Sequence, residues 1–146
     1  IRNKEDLLYN CYGRSIDLVE NIHRQVAQSR GTGLEKVEQT CRRIFYCQNT
    51  DEGPLIRYNS ITALPMARRR EILKRTDAAN ECFGNFLREG IEDGSVRPID
   101  IFIAQNLIAG AVNASMELHL WRKLDDIDDA AIDYFDIFVN GLLPRK

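Results

Sequence analysis

The sequence predicts an all-α fold, a helical bundle of about six helices, and three observations carry that expectation. Apolar residues recur at intervals of three and four, the spacing of one helical face. The breaks are few and sharp: Gly31-Thr32-Gly33, Asp51-Glu52-Gly53-Pro54, Pro65, Gly94 to Pro98 and Asp125 to Asp129. No stretch alternates as a half-buried strand would. The 146 residues suit one domain that can bury a core without disulfide staples.

The first helix is expected over Lys4 to Ser29. Asn3 can cap it by accepting the amide of Asp6, and Glu5 and Asp6 suit the positive end of the helix dipole. Leu8, Cys11, Tyr12, Ser15, Val19, Ile22 and Val26 share a face. Arg30-Gly31 is a stop signal. The second helix, Leu34 to Gln48, follows Thr32-Gly33 and carries Val37, Cys41, Ile44 and Phe45 as its stripe. A short third helix runs from Pro54 to Ala63, with proline in the first turn, where its missing amide costs nothing. The fourth, Pro65 to Asp93, is basic early and apolar late, and Gly94 closes it. The fifth, Pro98 to Lys123, is capped by Asp100 and apolar almost all round, so it must be covered on every side. The sixth spans Asp128 to Leu143, with the preceding aspartates as a solvated capping turn.

The last two helices carry more apolar surface than one small domain hides, and a twofold dimer is the commonest way to cover it. The expected contacts are Ala104, Ile108, Ala111, Ser115 and Leu118 with Tyr134, Phe135, Phe138 and Leu142. Small residues among them permit close approach of helices.

Several chemistries find no footing. Lys plus Arg is 20 and Asp plus Glu is 22, a net charge of −2, which argues against these residues gripping a phosphate backbone alone. No run is long enough to span a membrane, and the charged N-terminus is unlike a signal peptide. Cys11, Cys41, Cys47 and Cys82 form no CxxC pair and read as reduced thiols in a cytoplasmic protein. Glu20-Asn21-Ile22-His23 is a lone E-x-x-H, half of a di-iron pattern, so no metal or other cofactor is expected. His23 is expected as a partly exposed surface residue. No phosphate loop or triad order appears, so an enzyme is disfavoured. Arg68, Arg69, Arg70, Lys74 and Arg75 read as a solvated helix face offset by acidic neighbours.

The oddity is a polar or small strip inside the most apolar helix: Asn106, Gly110, Asn113 and Glu117, on one face. Buried polar groups need partners, because an unpaired one costs about 1–3 kcal/mol. The strip meets a dimer partner, or is satisfied within the domain, or lines a ligand cavity. Asn80 and Phe83 on the fourth helix supply wall material for such a cavity.

Ile1-Arg2-Asn3-Lys4-Glu5-Asp6-Leu7-Leu8 resembles the start of the connecting helix in the TetR family of bacterial repressors, where an aromatic residue usually stands in place of Ile1. Phe86 to Gly94, Asp100, Leu107 to Asn113 and the closing Phe138-Val139-Asn140-Gly141-Leu142-Leu143 resemble the family's late helices. The resemblance implies a ligand-binding and dimerisation domain over residues 1–146. The chain opens on Ile1, not Met, and residues 1–8 are then the junction to an absent helix-turn-helix domain. It also implies a homodimer whose last two helices form a four-helix bundle, operator DNA as partner through the absent domain, and a small hydrophobic or amphipathic effector. The expected pocket residues are Cys11, Ser15, Cys41, Phe45, Tyr58, Asn80, Phe83, Asn106, Asn113 and Glu117. A helical dimerisation module without a ligand, or a small helical enzyme, are the alternatives.

Overall fold

The structure, a computed structural model, describes residues 3–50, 58–140 and 144. Among them every regular element is helical: α1 (Lys4–Ala27), α2 (Gly33–Gln48), α3 (Met66–Asp93), α4 (Ile101–Ala114), α5 (Leu118–Trp121) and α6 (Ile127–Asn140). 3-10 turns lie at Tyr58–Ala63 and Ser115–Glu117.

Local chemistry sets most of the ends. The Asn3 side chain accepts the Asp6 amide at 2.9 Å. Thr32 and Glu35 close a reciprocal capping box at the start of α2. Asp100 accepts the amide of Ile103 at 2.9 Å, and Asp126 that of Asp129 at 3.0 Å. Gly94 ends α3 in the left-handed region, at φ 81°, which a side chain would resist.

Two elements differ from expectation. The third helix is, within the described residues, a 3-10 segment starting at Tyr58; residues 51–57 lie outside them. The fifth is not one helix to Lys123 but breaks after Ala114. There the Val112 carbonyl accepts the Ser115 hydroxyl and, at 3.2 Å, the Gln48 side-chain amide besides the Ser115 backbone amide, as the helix tightens into a 3-10 turn.

Helices α1, α2 and α3 pack on one another, α4 lies on α3, and α6 lies on α2. The main core gathers Val26, Val37, Phe45, Phe86, Leu87, Val112 and Phe135. A smaller cluster of Tyr12, Ile16, Leu64 and Ile72 joins the first half of α1 to α3. The start of α2 crosses the end of α3 backbone against backbone: a Cβ on Gly33 would lie 2.0 Å from the Gly90 nitrogen. Asp93 accepts the Gly33 amide at 2.8 Å, and Ser95 accepts the Leu34 amide at 3.1 Å, so α3 caps α2 from outside.

The basic cluster is not simply a solvated face. Arg68 pairs with Asp6 at 2.7 Å and lies over the Tyr9 ring, and Arg75 donates to Asp17 at 2.6 Å and Glu20 at 3.0 Å. Arg69 donates to the carbonyls of Thr62 and Leu64. These guanidinium groups tie α3 to α1 and to the turn before it; Arg70 and Lys74 remain exposed.

Candidate ligand cavity

A cavity of about 160 Å³ opens where the two core clusters meet. Helix α1 contributes Tyr12, Ser15, Ile16, Val19 and His23, which follow one another at helical spacing on its inner face. Helix α2 adds Cys41 and Ile44, and α3 adds Thr76, Ala79, Asn80 and Phe83. Helix α4 completes the wall with Gln105, Ile108, Ala109, Val112 and Asn113. Tyr12, Cys41, His23 and Phe83 are buried, whereas Asn80 and Asn113 are exposed and sit at the rim. Gln105 donates from Nε2 to the Asn80 carbonyl at 2.7 Å and bridges α3 to α4 there.

Electrostatics leave the wall uncharged. None of the described lining residues is Lys, Arg, Asp or Glu. Burial pushes the Cys41 thiol up to about 12, so it stays protonated. Burial likewise pushes His23 down to about 4, a little offset by the Glu20 charge, so its imidazole is neutral near pH 7. The ring stacks on Phe83 and meets Phe86 edge-on, each with centroids 6.1 Å apart. Its Nδ1 is buried and has no hydrogen-bond partner. Among the described residues no group of three or more His, Cys, Asp or Glu could hold a metal, and no helix is long and apolar enough to cross a membrane.

A second surface feature is a set of large apolar side chains left exposed on the last helices. Phe102 is 74% exposed and Leu107 65% on α4, and Trp121 is 83% exposed on α5. Ile103, Ile132 and Ile137 are exposed as well, on α4 and α6.

Residues 30–142 match the family model described as the tetracyclin repressor-like C-terminal domain. The chain belongs to that family. Two solved structures share the fold of this TetR-type domain. One is the TetR family transcriptional regulator PfmR from Thermus thermophilus, with TM-score 0.79 and 19% identity over 97% of this chain and 78% of that one. The other is a TetR/AcrR family regulator from Thermobifida fusca, with TM-score 0.73 and 19% identity over 99% of this chain and 77% of that one. No curated protein sequence matches at a significant level. Family and fold are thus those of transcriptional regulators.

Of the expected pocket residues, the TetR-type domain brings Ser15, Cys41, Asn80, Phe83 and Asn113 to the cavity wall. Cys11 is exposed instead, one position ahead of the inward Tyr12. Phe45 is fully buried against Tyr134 and Phe135, in the core and not on the wall. Tyr58 opens a 3-10 turn, and its side chain lies outside the described residues. Asn106 is exposed and bonds back to the Phe102 carbonyl at 2.8 Å, and Glu117 is exposed too. His23 corrects the expectation of a surface residue: it is 5% exposed. Its spacing from Val19 and Val26 was the available signal, since four before and three after place it on the buried stripe.

The residues expected at a dimer contact divide between buried and half-buried positions of the single chain. Ile108, Ser115 and Phe135 are buried within the single chain, and the uncovered positions are their neighbours Leu107 and Phe102 on α4. Ala104, Ala111, Leu118, Tyr134 and Phe138 are half-buried, and Leu142 lies outside the described residues. Tyr134 donates its hydroxyl to the Ala111 carbonyl and so pins α6 to α4 inside the domain.

Proposed function

We propose that this chain is the effector-binding and dimerisation domain, over residues 1–146, of a cytoplasmic TetR-like repressor. A small hydrophobic or amphipathic ligand in the α1–α4 cavity controls operator binding. The observation that carries the reading is the cavity: apolar walls from four helices, with an unpaired polar group among them. Sites of this make-up take largely apolar ligands oriented by a few polar contacts. Dimerisation uses the uncovered face of Phe102, Ile103 and Leu107 on α4 with Ile132 and Ile137 on α6, an apolar patch that a soluble monomer seldom leaves bare. Operator contact belongs to a helix-turn-helix joined ahead of α1, which makes α1 the link between cavity and DNA reader. The domain does no catalysis in this reading, and it uses no cofactor.

The test joins sedimentation equilibrium with a thermal-shift screen of small apolar molecules. A dimer whose melting temperature rises with some of them supports the proposal. A dimer that none of them stabilises points to a dimerisation module without a ligand. A monomer at high concentration refutes the dimer.

A further inference from the structure

Resting on the cavity as an effector site, we infer that His23 is its recognition group and that the ligand is an uncharged, single-ring molecule bearing a hydroxyl. The size follows from the volume. About 160 Å³ is close to the ~150 Å³ apolar cavity that holds one benzene ring, so a single ring fills it. The lack of charge follows from the wall. With no Lys, Arg, Asp or Glu among the described lining residues, a carboxylate or ammonium group would enter without a counter-charge, which costs far more than a neutral polar group.

The hydroxyl follows from His23. Its Nδ1 is buried with no partner, on a ring fixed between Phe83 and Phe86. A neutral imidazole carries one N–H and one bare nitrogen, and a hydroxyl both donates and accepts. It therefore satisfies the ring in either tautomer, whereas a carbonyl, which only accepts, suits one. Phe83, stacked on the imidazole at an interplanar angle of 27°, supplies an aromatic wall beside the polar atom, so ring and hydroxyl are recognised side by side.

Phenol, toluene and benzoate share one ring and differ in one group, so titrating the chain with each by calorimetry separates the terms. Phenol is expected to bind at least about tenfold more tightly than toluene, the worth of one buried hydrogen bond, and benzoate more weakly than both. In His23→Phe the preference should vanish, phenol binding no more tightly than toluene because its hydroxyl is then buried without a partner. Equal binding of the two by the wild type, or a phenol preference that survives His23→Phe, overturns the inference and leaves the effector cavity standing. Binding of none of the three overturns both. Should His23→Phe fail to fold, the His23 ring nitrogen resonances of the wild type carry the test. They should move with phenol and not with toluene, and resonances indifferent to phenol overturn the assignment.

Discussion

Lowering the pH from about 7.5 to about 5 is expected to destabilise this domain, and His23 is the group responsible. Burial beside Phe83 and Phe86 holds its pKa near 4 in the folded chain, against 6.5 when the ring is in water. Between those two values the unfolded chain binds a proton that the folded chain refuses, so stability rises with pH across that window. The His23 contribution is fully present above about pH 6.5, falls by about 2 kcal/mol at pH 5, and reaches its limit, on the order of 3 kcal/mol, below pH 4. Asp93 works lower. Hydrogen bonds from Ser95 and the Gly33 amide hold its pKa below the usual carboxylate value, so the stability they lend is present above that value and is lost only in stronger acid. Urea melts at fixed protein concentration, at both pH values, on the wild type and His23→Phe, isolate the effect. The variant should lose most of the pH dependence. A wild type as stable at pH 5 as at pH 7.5, or identical slopes in both proteins, would refute the reasoning.

Gly33→Ala should cost more than about 2 kcal/mol, because the added methyl would meet the Gly90 backbone nitrogen at 2.0 Å and the two helices cannot part without loosening the core; an unchanged thermal melt would contradict it. If the proposed dimer forms through the exposed α4 face, Leu107→Glu should convert it to monomer in sedimentation while leaving helical circular dichroism intact, since Leu107 is 65% exposed in the single chain. Cys11 should react with a thiol reagent in the native state while Cys41, buried and with its thiol pushed up to about 12, is protected until unfolding. Equal labelling rates would contradict that burial pattern.

The fold was legible wherever the deciding contact lies within one turn. Asn3, Asp100, Asp126 and Gly94 act on amides or backbone of their own helix ends, and the sequence pattern points to each. The 3-10 turn after Ala114 was not legible; the Gln48 amide that meets the Val112 carbonyl beside it comes from 64 residues away in the chain. The site was half legible for a related reason. Helix α4 is apolar nearly all round, so spacing shows which residues share a face but not which face turns inward. Asn106 and Asn113 are two turns apart, yet only Asn113 reaches the cavity. On the amphipathic α1 the inward face could be read, and His23 was missed because its polarity outweighed its position.

The forces holding α1 change in kind along its length, and that bears on what a ligand could do to it. Its second half is anchored by burial: Ile22, His23 and Val26 sit in the main core beside Phe83 and Phe86. The stretch before Ile22 relies on the small Tyr12 and Ile16 cluster and on the ion pairs of Arg68 and Arg75. Those pairs are part-exposed, and contacts of that sort are worth about 0–1 kcal/mol each and weaken with salt. Arg75 and Asp17 are direct neighbours of the wall residues Thr76 and Ile16. Widening the cavity between α1 and α3 would therefore strain these ties together with the small Tyr12, Ile16, Leu64 and Ile72 cluster, and leave the main core around Val26 intact. A ligand shifts such an equilibrium only by its difference in affinity for the two arrangements, and a difference of about 1–3 kcal/mol exceeds the worth of either tie. In the proposed regulator, the end of α1 nearest Asn3, held beyond the Tyr12 cluster by the Arg68 pair, is thus the part of the helix that resists displacement least.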